Sequence, residues 1–123
     1  MKVLIALVLF ACSLSACNKQ IKDSATEKHT PPAETPACIL KMIEELKNKP
    51  KQNPPAVVYE FTYKDQKVYY ITSDCCDQYN FLYDANCNIL CAPDGGITGG
   101  GDHRCIDFNT TKKDEKLVWK DER

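Results

Sequence analysis

The chain has 123 residues, a net charge of −1 and eight cysteines. This length fits one domain with appendages and leaves no room for a second independent core. The charge is unevenly placed: residues 75–107 hold five aspartates and one arginine, whereas residues 38–74 hold six lysines and five acids. Without clustered Lys and Arg to neutralise phosphates, the sequence argues against nucleic-acid binding.

Residues 1–16 have the pattern of a bacterial signal peptide. Lys2 supplies a positive charge, and residues 3–11 are apolar but too few to span a bilayer of about 30 Å. The following Leu-Ser-Ala-Cys at residues 14–17 resembles the lipobox of bacterial lipoproteins. The resemblance implies cleavage before Cys17 and lipidation of this cysteine, with diacylglycerol on its sulfur and an acyl chain such as palmitate on its amine. The predicted lipid on Cys17 therefore makes the membrane a binding partner of this protein.

Two alternatives to this lipid anchor are weaker. A motif ending at Cys12 includes the bulky Phe10 and shortens the apolar run. An ordinary secretory signal with a chance cysteine is the second alternative. The sequence therefore predicts a lipid-anchored protein of the cell envelope, with the outer membrane, on its periplasmic or surface side, as the favoured location.

Once Cys12 leaves with the signal and Cys17 carries lipid, an even number of cysteines remains for disulfides in an oxidising compartment. They are Cys38, Cys75, Cys76, Cys87, Cys91 and Cys105. Six cysteines allow 15 connectivities. We exclude a vicinal bond between Cys75 and Cys76 as strained, and a bond between Cys87 and Cys91 as too long within one strand, which leaves about ten connectivities open.

Residues 17–36 comprise the lipidated cysteine and a polar, Pro-rich stretch without periodicity, which predicts a disordered tether. His29 in this tether is interpreted as solvated spacer. The domain is predicted over residues 37–123. It begins with a helix: Thr35 is the expected N-cap, Pro36 suits the first turn, and Pro50 ends the helix. Apolar residues recur at helical spacing at Ile39, Met42, Ile43 and Leu46.

Residues 57–64 and 67–73 alternate between aromatic and polar side chains, which predicts two strands joined by a turn at Asp65-Gln66. Residues 80–84 and 88–92 predict a second hairpin, and residues 116–120 predict a last strand that returns Trp119 to the sheet. The fold class is α+β: one N-terminal helix packed on a small antiparallel meander of four or five strands, stapled by disulfides. Disulfide bonds are important here because a core of this size supplies only marginal stability.

Several short stretches in the cysteine-rich half and at the end of the chain resemble an uncharacterised family of small lipoproteins from Bacteroidota-type bacteria. These stretches are residues 75–79, 82–84, 91–96, 98–99, 101–102, 105, 107–108 and 116–121. The resemblance extends from about residue 37 to the end and implies an envelope location and a shared fold. It implies no activity, because the family is a domain of unknown function. His103 departs from the pattern, in which Gly is more typical.

The glycine-rich segment at residues 94–102 is flanked by carboxylates, which makes Asp94 and Asp102 candidate Ca²⁺ ligands, with Asp84 and Asp107 as further oxygen donors. The spacing matches neither an EF-hand nor a calcium-binding β-helix repeat. A long turn whose glycines supply positive φ, and whose aspartates bond turn amides, is favoured over the calcium site.

Other chemistries fit poorly. Asp74 and Asp77 flank Cys75-Cys76 and disfavour thiolates, so structural disulfides are favoured over a thiol-disulfide redox enzyme. Zinc lacks paired C-x-x-C or H-x-x-x-H spacing, and a triad of Ser73, His103 and an aspartate has no nucleophile turn. The sequence predicts no catalytic residues and no resident cofactor. A binding or structural module is ranked first, with a protein or glycan partner; a calcium-dependent module is second and an enzyme last.

Overall fold

The structure is a computed structural model that describes residues 29–123. Its elements in chain order are α1 (Ala37–Lys47), β1 (Val57–Tyr63), β2 (Gln66–Ile71), β3 (Tyr79–Asp84), β4 (Ile89–Gly95), α2 (Phe108–Thr111) and β5 (Lys113–Lys120). The predicted signal peptide, Cys17 and the tether up to residue 28 lie outside the described residues. Within them, no helix is long and apolar enough to cross a membrane.

The strands form one antiparallel sheet in the order β4-β3-β2-β1-β5. The first four strands follow one another as a meander, and β5 returns to pair with β1 on its free side. The predicted small antiparallel sheet is confirmed, with five strands. Its first turn is displaced from the prediction: the turn residues are Lys64 and Asp65, with φ of 48° and 60°. Two consecutive residues with positive φ match the twist of a tight hairpin.

Helix α1 starts and stops differently from the prediction. Its N-cap is Pro36, and the Thr35 hydroxyl is buried without a hydrogen-bond partner in the described part of the chain. At the other end, the Arg123 guanidinium donates to the carbonyls of Leu46 at 3.2 Å and Lys47 at 2.8 Å. Arg123 thereby satisfies carbonyls that a helix end leaves without intrahelical partners.

Both faces of the sheet carry buried side chains. One cluster joins Ile39 and Ile43 of α1 to Val58 and Tyr69 of the sheet. A second cluster contains Phe61, Tyr63, Val68, Leu82, Cys91, Cys105 and Phe108. Because neighbouring side chains on a strand point to opposite faces, Val58 and Phe61 place the two clusters on opposite sides of the sheet. The Phe108 ring of α2 contacts Phe61 edge-on, with centroids 5.4 Å apart.

Glu60 shows the consequence of this double covering. In β1, Glu60 alternates with the aromatic residues Tyr59 and Phe61, yet it is only 7% exposed. Its carboxylate accepts a hydrogen bond from the Tyr69 hydroxyl at 3.1 Å and pairs with the Lys67 ammonium at 3.1 Å. A buried carboxylate is tolerated here because it is both paired and hydrogen-bonded.

Each outer edge of the sheet also has contacts with another segment of the chain. Beside β4, the Asp102 amide donates to the Ala92 carbonyl at 2.9 Å. Beside β5, the His29 ring bonds the Leu117 carbonyl at 2.9 Å. His29 is partly buried, so the interpretation of this residue as solvated spacer is wrong. Neither edge strand presents a free row of backbone groups along its whole length.

All six predicted disulfide cysteines are paired in the structure. Cys38 bonds Cys87 and joins the start of α1 to the β3–β4 turn, and Cys91 bonds Cys105 inside the second cluster. Cys75 bonds Cys76. The exclusion of this vicinal pair was wrong, because the other four cysteines pair with one another and the β2–β3 connection holds Cys75 and Cys76 apart from them.

The Cys38–Cys87 bond closes a loop across 49 residues. Restraining an unfolded loop of this length stabilises the fold by about 4 kcal/mol in the chain-entropy description. We therefore expect the double substitution Cys38→Ala with Cys87→Ala to lower the free energy of unfolding by about 3 to 4 kcal/mol, measured by urea denaturation of the purified full chain.

The matched control is Cys75→Ser with Cys76→Ser, which also removes one disulfide. A bond between adjacent residues restrains almost no chain, so this variant should stay within about 0.5 kcal/mol of the parent. Equal losses in the two double variants would contradict the assignment of Cys38–Cys87 as the bond that stabilises the domain.

Candidate functional site

A cleft of about 500 Å³ lies between the second half of α1 and the strands β2 and β3. We call it the α1–β3 cleft. Its floor is apolar and consists of Met42, Leu46, Ile71 and Tyr83, all partly buried and packed against the first core cluster. A ligand on this floor would therefore rest on side chains that the core already holds in place.

The rim of the α1–β3 cleft carries several polar side chains that have no protein partner within residues 29–123. Among the described residues, the side chains of Glu45, Lys49 and Gln78 have no hydrogen bond or ion pair, and the Tyr83 hydroxyl has no partner. The Gln52 Oε1 atom, in the same wall, is buried and unpaired. Burial raises the pKa of Tyr83, so its hydroxyl stays protonated and available as a donor.

The β2–β3 connection forms the far wall of the cleft and is held by short polar contacts. The Ser73 amide donates to the Asn80 side chain at 2.8 Å, and the Ser73 hydroxyl donates to the Tyr79 carbonyl at 2.5 Å. The Asp74 carboxylate accepts from the Cys75 amide at 2.9 Å. Both Cys75 and Cys76 are exposed at this wall. Ser73 is therefore engaged with backbone, and no contact brings it to His103 as the imagined triad requires.

A row of three aromatic rings on β3 leads away from the cleft. Tyr79, Phe81 and Tyr83 alternate along the strand and so share one face. Their successive ring centroids are 6.2 Å and 6.3 Å apart. Tyr79 at the outer end is 42% exposed. We call these three residues the aromatic row.

A second cleft of about 500 Å³ lies between the β1–β2 hairpin tip and α2, and all of the side chains that line it are polar or charged. The Asp107 carboxylate accepts from the Tyr63 hydroxyl at 2.6 Å, which holds the pKa of Asp107 below its usual range. The Lys112 ammonium lies 4.5 Å from the Phe61 ring centroid. Binding pockets are mostly apolar, and this cleft has no apolar floor, so it is a weaker candidate than the α1–β3 cleft.

The glycine-rich segment folds back onto β4 as a closed turn. Gly101 has a φ of +70°, and a side chain there would meet the backbone, since a Cβ would lie 2.8 Å from the Asp94 nitrogen. His103 also has positive φ, at 62°. This is a conformation that Gly adopts without strain, which is a physical reason for Gly to be typical at that position.

The two candidate calcium ligands of this segment bind protein donors. The Asp94 carboxylate accepts from the Tyr70 hydroxyl at 2.8 Å and from the Asn80 amide at 2.6 Å, and so ties β2, β3 and β4 together. Burial raises the pKa of Tyr70, which keeps its hydroxyl a donor. Asp102 accepts from the Arg104 amide at 3.0 Å and lies 3.6 Å from the Arg104 guanidinium.

The two further oxygen donors are also engaged. Asp84 accepts from the amides of Asn86 and Asn88 in the β3–β4 turn, and Asp107 is bound as described above. In residues 29–123, no three His, Cys, Asp or Glu side chains converge on a point that would hold a metal ion. The calcium site stays a prediction.

The Asp94 contacts make a direct test of it. We expect Asp94→Ala to lower the free energy of unfolding by about 2 to 3 kcal/mol, because hydrogen bonds to a charged group are lost and two donors are left unpaired. The loss should be equal with millimolar Ca²⁺ and with chelator. Asp102→Ala, the matched substitution at a carboxylate beside an exposed arginine, should cost less than about 1 kcal/mol. A midpoint that rises with Ca²⁺ in the parent and not in Asp94→Ala would instead establish the calcium site.

Comparison with known proteins gives one match. The sequence profile of a domain of unknown function, DUF6970, matches residues 44–121. No curated protein and no solved structure matches the chain. The matched range includes all five strands, the aromatic row and most of the cleft wall, and it starts within α1, after Cys38. The profile covers more than half of the chain, which therefore belongs to the DUF6970 family of domains of unknown function.

Proposed function

We propose that this chain is a lipid-anchored binding module of a bacterial envelope, of the Bacteroidota lipoprotein type, which binds its partner in the α1–β3 cleft. Two observations support the location. Residues 14–17 form a complete lipobox. All six cysteines of the described part are oxidised, as is usual in an oxidising compartment and rare in the cytosol.

The anchor is tested at Cys17. We expect growth with labelled palmitate to label the full chain and its Cys12→Ser variant, because Cys12 leaves with the signal. Cys17→Ser should be unlabelled and should leave the membrane fraction, since two or more acyl chains are what hold a small protein stably on a bilayer. Label on Cys17→Ser, or a parent protein free in solution, would overturn the anchor.

The binding role is carried by one observation, the unpaired polar groups around an apolar floor. Binding pockets typically combine an apolar lining with a few convergent polar groups. A buried acceptor without a partner costs stability, by about 1 to 3 kcal/mol. Gln52 Oε1 is such an acceptor in the unliganded protein. A residue that lines a cleft and weakens the fold is expected where the residue serves binding and not stability.

The effect of the unpaired Gln52 oxygen on stability can be measured without a ligand. We expect Gln52→Leu to raise the free energy of unfolding of the purified full chain by about 1 kcal/mol, because the apolar side chain removes the unpaired oxygen and keeps similar volume. Gln78→Leu, at an exposed position of the same rim, is the control and should change stability by less than about 0.5 kcal/mol. If Gln52→Leu destabilised the protein by more than 1 kcal/mol, Gln52 would be structural and the site would lose its main support.

A further inference from the structure

We propose that the ligand of the α1–β3 cleft is a glycan, in which one N-acetylated sugar lies on the apolar floor and the next sugars lie along the aromatic row. The inference rests on the proposed binding function and adds the chemical class of the ligand.

The floor and rim fit a ring with two kinds of surface. A pyranose has an apolar face of C–H groups and an edge of hydroxyl groups that both donate and accept hydrogen bonds. The apolar face matches the floor of Ile71, Leu46 and the Tyr83 ring. At the rim, the Lys49 ammonium donates, the Glu45 carboxylate accepts and the Gln78 amide does both. A polyhydroxylated ligand can satisfy these opposite groups at once, whereas a purely apolar molecule would leave them unpaired.

Gln52 points to the N-acetyl group. Its unpaired Oε1 is an acceptor, and an acetamido group supplies an N–H donor next to a methyl group that suits Met42 on the floor. The oxygen is covered in the unliganded protein, so the Gln52 side chain has to turn toward the ligand. It is only partly buried, and the terminal torsion of Gln is broad and easily rotated. The hydrogen bond to the ligand then satisfies an acceptor that had no partner, and no existing hydrogen bond of this oxygen has to break.

The aromatic row extends the site beyond one sugar. It begins at Tyr83 on the cleft floor and ends at the exposed ring of Tyr79. Adjacent rings are inclined by 62° and 64°, so each ring offers its own surface. Tyr and Phe present large apolar surfaces with few rotatable bonds, and Tyr adds a hydroxyl that reaches water or a ligand. A chain of sugar rings can contact such surfaces in sequence.

Other ligand classes meet obstacles in this fold. An extended peptide that adds a strand needs an open sheet edge, but the cleft lies against β2 and β3, which are inner strands of the sheet. Nucleic acid needs a positive surface, but the rim carries Glu45 and Asp74 against Lys49. The cleft has no open edge and no excess of positive charge, and these absences leave the glycan as the better fit.

The test is a titration of the isotope-labelled full chain followed by NMR, with the β-1,4-linked trimer of N-acetylglucosamine as probe. The comparison ligand is the β-1,4-linked trimer of glucose, which has the same linkage without acetamido groups. We expect the N-acetylated trimer to shift the signals of Gln52, Tyr83 and Tyr79. The glucose trimer should bind about tenfold more weakly, the usual effect of losing one hydrogen bond to a buried acceptor.

Three variants locate the contacts. Gln52→Leu should weaken the N-acetylated trimer about tenfold and leave the glucose trimer unchanged. Tyr79→Ser should weaken the trimer but not the N-acetylglucosamine monomer, because Tyr79 lies at the outer end of the row. Ile106→Ser is the control: Ile106 is 79% exposed and follows Cys105 of the opposite-face cluster, so binding should not change.

The outcomes separate this inference from the function on which it rests. Equal binding of the two trimers would overturn the pairing of Gln52 with an acetamido group. Binding of neither trimer would overturn the glycan inference, while a stability gain in Gln52→Leu would still support the α1–β3 cleft as a binding site. A stability loss in Gln52→Leu with no binding of either trimer would overturn both.

Discussion

The position of α1 is the constraint on which the rest of the molecule depends. Only Ile39 and Ile43 of this helix are fully buried, so two residues supply most of its apolar contact with the sheet. The helix is fixed at its start by the Cys38–Cys87 bond and at its end by the Arg123 guanidinium. Between these two attachments α1 stands beside β2 and β3, and the space that remains is the α1–β3 cleft. The Cys38–Cys87 bond and the Arg123 hydrogen bonds thus hold the helix that forms one wall of the α1–β3 cleft. Neither Cys38 nor Arg123 lines the cleft itself.

The sequence predicted the local elements well and the contacts between them poorly. Alternation in β1 and β2 and the helical spacing of Ile39, Met42, Ile43 and Leu46 are local patterns, and the structure contains the elements that they predict. Alternation in β1 separates Glu60 from the aromatic residues but does not show whether its face of the sheet is covered. Glu60 lies opposite Tyr69 in the register, on the face that α1 covers. Helix α2 has four residues and no periodic pattern, so no sequence signal announced it.

The cysteine-rich segment was expected to carry the function because it concentrates cysteine, glycine and aspartate. In the structure these residues serve as scaffold: Cys91 and Cys105 close the second cluster, Gly101 lets the backbone approach β4, and Asp94 joins three strands. The candidate site combines Gln78 and Tyr83 of this segment with Met42 and Leu46 of α1, which are distant from them in the sequence. A cleft of this kind depends on tertiary contacts, and a single sequence does not reveal it.

If the proposed lipid anchor holds, the contacts at the sheet edges bear on how the protein behaves at high density. A protein tethered to a membrane is confined to a thin layer, where its neighbours are close and meet repeatedly. Exposed edge strands would then pair between molecules, which is the usual route from folded sheets to aggregates. Two hydrogen bonds occupy backbone groups of the outer strands. One joins the His29 ring to the Leu117 carbonyl, and the other runs from the Asp102 amide to the Ala92 carbonyl. These contacts reduce the number of backbone groups that the outer strands offer to a neighbouring molecule.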